Sequence, residues 1–534
     1  MARLLLHFLS AYFVVLYVRV VDGAPISSCS QTPYPEVCNY FIGNYKPTAG
    51  VDEIQFPFRD RVLRVTMNQA KQLHLLVSAM DLSSSDERTK LAWADCLELY
   101  ENTMDLVNRS INSISPAVMF DSQTWLSAAI ANQQTCLDGF IDFNPSSDQF
   151  QSFPSMSIST SNFSKLLSNS LAINKAAVSA TSMLSNNQAG GRRLLSNGFP
   201  TWVSAADRKL LQSSGAASRA DIVVAHDGSG NYKTISEAVA ASVKLRSGTK
   251  RFVIYVKAGV YRENVEIKRK MQNIMIIGDG KDATIVTGNK NVQDGSTTFR
   301  SATFAVSGHG FIARDMTFEN TAGPQKHQAV ALRSSSDGSV FYGCSFKGYQ
   351  DTLYVHTQRQ FYRNCDVYGT VDFIFGDAVA VLQNCNIYVR RPMSNQANVI
   401  TAQGRSDQNE NTGISIHNSR VMAAPDLRPV QSRFKTYLGR PWRKYSRTVF
   451  MKTSLDGLID PAGWSPWKGD FGLTTLYYGE YMNTGSGAST RGRVKWRGYH
   501  VITSAAEAEK FTVGRFLVGD SWIPTTGVPY ASGL

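Results

Sequence analysis

The chain has 534 residues, 43% hydrophobic and 18% charged, a balance that excludes a disordered or fibrous chain and at this length implies two or more folded units. The formal charge of +13 is unevenly placed: from Arg219 onward there are 39 basic and 25 acidic residues, +14, whereas before it there are 16 and 17, −1. A basic second part calls for an acidic partner, and its basic residues are scattered without a nucleic-acid-binding module, which leaves an acidic polysaccharide or an anionic lipid surface rather than nucleic acid.

Residues 1–24 carry Arg3, then a mostly apolar run broken by Arg19, and end on the small residues Gly23 and Ala24. This predicts a secretory signal peptide and a secreted, extracellular protein. An uncleaved anchor is the alternative, because Leu4 to Val18 is long for a signal core yet short for a full span. Seven cysteines in an exported chain predict disulfides with one thiol left over.

Residues 25–184 repeat apolar side chains at three- and four-residue steps, as in TKLAWADCLELYENTMDLVNRSINSI, so an all-α four-helix bundle is predicted. Cys29 with Cys38 would close an N-terminal hairpin, and Cys96 with Cys136 would staple two helices; other connectivities remain open. Asn108-Arg-Ser110 and Asn162-Phe-Ser164 are acceptor patterns for N-glycosylation. No cluster of catalytic residue types stands out here.

Residues 185–218 are rich in Ser, Ala, Gly and Asn without periodicity, the composition of a linker. Two near-duplicate tetrads, Arg192-Arg193-Leu194-Leu195 and Arg208-Lys209-Leu210-Leu211, would be open to a processing protease. From 219 to 534 the texture becomes β, with branched and aromatic runs punctuated by Gly and Asn. ISEAVA from Ile235 and SAAEAEKF from Ser504 read as short helices covering the two ends.

Inside this part the tetrads DMTF, GCSF, NCDV and NCNI, beginning at Asp315, Gly343, Asn364 and Asn384, recur at steps of 28, 21 and 20 residues. Such a period predicts a right-handed parallel β-helix. Cys344 and Cys365 are 21 apart, and so are Asp351 and Asp372. Stacked on successive coils at roughly 4.8 Å, the two cysteines could form a disulfide with Cys385 left as a free thiol, or Cys365 could pair with Cys385 instead. The two aspartates would become neighbours, one driven to keep its proton while the other stays charged, which provides an acid and a nucleophile from one residue type.

With those aspartates placed, the chain resembles the plant pectinesterases (pectin methylesterases). The marks are Gly259-Val-Tyr261-Arg-Glu263, Gln328-Ala-Val-Ala-Leu332, Tyr349-Gln350-Asp351-Thr-Leu353, Asp372-Phe-Ile-Phe-Gly376 and Leu438-Gly-Arg440-Pro-Trp442. The helical part, with its four cysteines, is similar to the pectin methylesterase inhibitor family, and the dibasic tetrads resemble that family's processing sites. The resemblance implies an esterase of the plant cell wall that cleaves the C6 methyl esters of methyl-esterified homogalacturonan. It implies Asp372 as nucleophile, Asp351 as proton donor and then base, and Gln350 as transition-state stabiliser. Thr298, Gln328, Arg440 and Trp442 become substrate contacts. It implies no metal or cofactor, a monomer, and a proteinaceous inhibitor as a partner. Asp377 stands where many relatives carry Asn, adding a charge that would bear on the titration of the aspartates.

Two other readings compete. A β-helix glycosidase or lyase would also suit close aspartates, and Gly308-His309-Gly310 superficially resembles a polygalacturonase element, but it stands without the accompanying aspartate pair. A non-enzymatic inhibitor or wall-binding protein would leave the five downstream motifs without a use.

Overall fold

The computed structural model describes residues 25–45, 56–83, 85–111, 116–141, 154–185, 220–246, 248 and 250–534. The expected signal peptide and both dibasic tetrads lie outside these residues. The N-terminal part is helical: a short helix α1 (Pro35–Gly43), then four long ones, α2 (Phe58–Ser78), α3 (Glu87–Ser110), α4 (Pro116–Ile141) and α5 (Pro154–Ser185). Asp86 caps α3 by accepting from the Thr89 N–H, which satisfies a donor the helix itself leaves open. Disulfides join Cys29 to Cys38 and Cys96 to Cys136, the latter tying α3 to α4.

From Ile222 onward the chain winds into three parallel sheets, of eleven, seven and eight strands among the described residues. Every strand pairs with its counterpart one coil away, the arrangement of a right-handed parallel β-helix. The coil frame read from the tetrads is a real corner. Asp315, Gly343, Asn364, Asn384 and Asn418 all have positive φ, between 50° and 63°. Asn, Asp and Gly tolerate that left-handed region best, which is why these types recur at the corner. Each corner N–H donates to the next coil, Gly343 to the Arg363 carbonyl (3.0 Å) and Asn364 to that of Gln383 (3.2 Å). Inside, aromatic side chains stack along the axis, as Phe318 does on Phe346 (5.7 Å) and Phe341 on Tyr362 (4.9 Å). Among the described residues, the central apolar core draws on those from Ile222 onward.

The helix expected at Ile235 spans Ile235–Leu245 and buries Ile235, Ala238 and Val239 at the first coils, with a capping box between Thr234 and Glu237. The helix expected at Ser504 spans Ala505–Glu509, with Ala508 and Phe511 packed against Val449, Met451 and Tyr481, but the placing of the C-terminal segment differs from expectation. Val513, Leu517, Ile523 and Val528 pack along the outer face of the eleven-stranded sheet against Val253, Ile312, Val340 and Val381. That face is itself apolar and needs a cover, so the segment runs along a flank of the solenoid and does not close its end.

The expected Cys344–Cys365 disulfide is absent: Cys344, Cys365 and Cys385 are all free and buried. Equivalent positions of parallel coils hold their Cα–Cβ bonds parallel, so their Cβ atoms stay near the strand spacing of roughly 4.8 Å, against about 3.8 Å in a disulfide. The same geometry disfavours Cys365 with Cys385. The thiols donate to carbonyls instead, Cys365 to Phe341 (3.3 Å) and Cys385 to Tyr362 (3.6 Å). Burial pushes the Cys344 and Cys385 thiols up and keeps them protonated. The unreduced chain should therefore release three titratable thiols on denaturation and none while folded. A single thiol on denaturation would restore the disulfide.

Candidate active site

The seven-stranded sheet carries the site. Its strands, in chain order, are β1 (Val265–Ile267), β2 (Phe304–Val306), β3 (Leu332–Ser334), β4 (Leu353–Val355), β5 (Ile374–Gly376), β6 (Asn398–Gln403) and β7 (Thr436–Gly439). Constant register places Arg333, Tyr354, Phe375 and Ala402 in one outward row, with Tyr354 stacked on Phe375 at 4.2 Å. Leu332, Leu353 and Ile374 form the inward row. Gly376, which ends the DFIFG motif, has φ 126°, and a Cβ there would lie 2.1 Å from the Val355 carbonyl oxygen, so the motif requires glycine.

Asp351 and Asp372 precede β4 and β5 by the same interval, and the Asp351 N–H donates to the Val371 carbonyl (3.1 Å), which sets the two aspartates side by side. Both have left-handed backbones, φ 62° and 51°, a region that Asp tolerates better than most residues. They line one groove of about 430 Å³ together with Thr298, Gln328, Gln350, Arg440 and Trp442, so all seven residues singled out in the sequence converge there.

Arg440, just after β7, grips Asp372 with two bonds, Nε to Oδ1 (2.9 Å) and Nη2 to Oδ2 (2.6 Å). Burial pushes the Asp372 carboxyl up, and Arg440 opposes it. Trp442 meets Phe375 edge-on at 5.9 Å, while Trp467 lies under the Arg440 guanidinium at 4.4 Å with 39% of its surface exposed. Of the side chains expected to be wall or core, Phe375 lines the groove, Phe373 belongs to the interior, and Tyr349 lies beneath Arg390. Among the described residues, no group of three or more His, Cys, Asp or Glu is placed to hold a metal ion.

Asp377 does not act as expected. It is buried, accepting from Gln403 (2.9 Å) and Thr412 (2.5 Å) beside Glu410, and burial pushes both carboxyls up. The groups that move Asp372 are its burial and Arg440, not Asp377.

The helices cover this groove. Thr135, Asp138 and Gly139 of α4 are part of its lining, and Asp351 and Asp372 are only 7% and 5% exposed. Acids of the bundle meet arginines of the β-helix at several points: Asp138 with Arg443, Asp121 with Arg359, and Asp95 with Arg300. Asp95 also accepts from Thr297 (2.6 Å), and Thr135 bonds the His356 ring at 2.9 Å. Trp467, Arg443, Arg300 and His356 were not singled out from the sequence; Arg443 directly follows the Arg-Pro-Trp motif, and the others carry no motif of their own.

Two family models match the chain: Pectinesterase over residues 221–520, and Plant invertase/pectin methylesterase inhibitor over 25–173. The chain is 56% identical over 543 residues to "Probable pectinesterase/pectinesterase inhibitor 6" of Arabidopsis thaliana, covering 97% of this chain and 96% of that one. The chain belongs to the pectinesterase family. It is also 53% identical to "Pectinesterase 2" of Citrus sinensis, over 95% of this chain and 94% of that one. Among solved structures, "Pectin methylesterase from Carrot" is 61% identical with a TM-score of 0.58, the match covering 59% of this chain and 98% of the carrot chain. Membership makes the chain a carboxylic ester hydrolase with an inhibitor-like N-terminal domain. Among the described residues no helix is long and apolar enough to cross a membrane.

Burial between bundle and β-helix pushes Asp95 up to about 6, against the pull of Arg300. An acid raised in the docked state favours docking below its ordinary value near 4, and that contribution is lost as pH rises through about 6. His356 is shifted the other way, lowered by burial and by Arg333. Asp95→Asn isolates the first effect. With the linker cut, the dissociation constant of the bundle should change between pH 4 and 7 by roughly fiftyfold less than in the unsubstituted chain. Equal slopes in a titration of binding against pH would remove Asp95 from this role.

Proposed function

We propose that the chain hydrolyses C6 methyl esters of galacturonate in pectin, releasing methanol and acidic pectin and so remodelling the plant cell wall. The observation that carries the reading is the two-bonded hold of Arg440 on Asp372 in a groove shared with Asp351 and two glutamines. The Asp372 carboxylate attacks the ester carbonyl, and the oxyanion that forms is stabilised by amide donors of Gln350 and Gln328. Collapse expels the methoxy group, which takes the Asp351 proton and leaves as methanol. Asp351, now ionised, removes a proton from water as the water attacks the acyl-enzyme. The product carboxylate departs, Asp372 is restored and Asp351 is again protonated. Arg440 keeps Asp372 charged against the cost of its burial, and Trp442 and Thr298 hold the sugar.

The same reading makes residues 1–24 a signal peptide, 25–184 an inhibitor-like pro-region, 185–218 a processing linker and 219–534 the catalytic unit, secreted and working as a monomer. With α4 in the groove, the polymer has no route to Asp372 until a protease cuts at Arg192–Leu195 or Arg208–Leu211 and the bundle leaves. A separate proteinaceous inhibitor would use the same face. Asn108, exposed on α3, and Asn162, half-buried on α5, are the glycan acceptors.

Asp372→Asn should lower methanol release by about a thousandfold or more while secretion and melting temperature hold, and Asp351→Asn should also lose most activity. Methanol release retained by Asp372→Asn would remove it from the nucleophile role. Products discriminate the chemistry: new reducing ends or unsaturated uronides in place of methanol would refute the esterase. Cutting the linker of the intact chain should raise methanol release severalfold, and no change would show that the bundle does not restrain the enzyme.

A further inference from the structure

Behind Trp442 lies a buried pair of acids that the mechanism does not use. Asp377 follows the turn at Gly376, and its Oδ1 accepts from Gln403 (2.9 Å) and Thr412 (2.5 Å), the two roots of loop 404–412. Glu410, from within that loop, turns back into it: its Oε1 accepts from the Ser406 N–H (3.0 Å), the Ser406 hydroxyl (3.1 Å) and the Asp407 N–H (2.6 Å). The two carboxyls lie within hydrogen-bond reach of each other and are 5% and 2% exposed. Neither Asp377 Oδ2 nor Glu410 Oε2 meets a donor among the described residues. Two buried acceptors left so are costly, and a single proton between them satisfies both. The nearby guanidinium groups donate to carbonyls instead, Arg405 to those of Gln408 (2.5 Å), Glu410 (3.0 Å) and Tyr445 (3.3 Å), and Arg447 to that of Glu410 (2.8 Å). Asp407 in the loop, Tyr445 in the turn after Trp442 and Tyr477 of the eleven-stranded sheet are the other titratable groups around the pair, and Lys175 of α5 meets the loop from outside at Asn409 (3.5 Å).

What the pair closes is the support of the groove wall. Gly404 packs so near Trp442 that a Cβ on it would lie 3.0 Å from the indole. Gln403 Oε1 accepts from the N–H groups of Arg405 (3.0 Å) and Arg447 (2.7 Å), and the Tyr445 N–H donates to the Arg405 carbonyl (3.0 Å), which laces the loop to the turn that carries Trp442. Arg440 is held apart from this, its N–H on the Thr401 carbonyl (3.0 Å). We propose that Asp377 and Glu410 share one proton and by it act as positioning residues, fixing loop 404–412 beneath Trp442 and so setting how firmly the groove holds a sugar. The effect on the sugar rests on the esterase reading above. Burial, and then Asp377, push Glu410 well above the usual carboxylate range. A proton kept by the closed loop favours closure at low pH, and that contribution is lost as pH rises through the raised value.

Infrared spectra of the intact chain test the proton without recourse to activity. At about pH 6 the difference between the unsubstituted chain and Glu410→Gln should contain the stretch of a protonated carboxyl, and its absence overturns the proposal. Positioning is tested on the chain cut in its linker and freed of the bundle, with fully methylated polygalacturonate as substrate. Its KM should climb severalfold from about pH 5 to about pH 8. In Asp377→Asn, whose amide donates to Glu410 without a proton, KM should stay level over that range, and Glu410→Gln should behave alike. Glu410→Ala removes the bond and should raise KM severalfold at every pH while kcat stays within about twofold. If KM in Asp377→Asn follows the unsubstituted profile at an unchanged melting temperature, the positioning role is overturned. Absence of methanol release by the unsubstituted preparation would instead overturn the esterase reading.

Discussion

Hydrogen bonding between successive coils at one constant register is the constraint on which the groove, its floor and its cover all depend. Because the ladder is parallel, equivalent residues of neighbouring coils point the same way, and a 21-residue separation becomes a side-by-side contact. Asp351 and Asp372 meet for this reason, and Arg440 reaches Asp372 from a strand two positions further along the same sheet. A slip of one residue would turn Tyr354 and Phe375 inward and Leu353 and Ile374 out to water.

The parts of this design legible in the sequence are those written in local residue types. Gly343, Asn364 and Asn384 announce the corner because few other residues accept its backbone, and their spacing gives the coil. Asp351 and Asp372 follow from the same count, whereas Arg440, Gln328 and Trp442 were assigned by likeness to a family and lie too far apart in the chain for periodicity to join them. The pairing of Cys344 with Cys365 was misread because proximity was taken for bonding; stacked side chains keep their Cβ atoms too far apart. Asp377, five residues past Asp372, lies beyond the turn at Gly376 and belongs to a different buried cluster.

The likeness of the helical part to an inhibitor family suggested a partner for the groove, but the residues that dock it were not legible. Asp95, Asp121 and Asp138 look like ordinary helix residues until tertiary packing sets them against Arg300, Arg359 and Arg443. Within the groove two opposing effects bear on Asp372: removal from water favours its neutral form, and the doubly bonded guanidinium favours the anion.

The corner at Asp315, Gly343, Asn364, Asn384 and Asn418 behaves as a keel. Its N–H groups are committed from coil to coil and its backbone admits few residue types, so from Asp315 to Asn418 only two residues separate the strands on that edge in each coil. Between Asn384 and Asn418 the coil lengthens from about twenty residues to 34, and the added chain includes residues 404–412, whose Asn409 and Asn411 touch α4. Over these coils growth falls on the edges facing the groove, where the wall can change height and chemistry while the spine keeps its pitch.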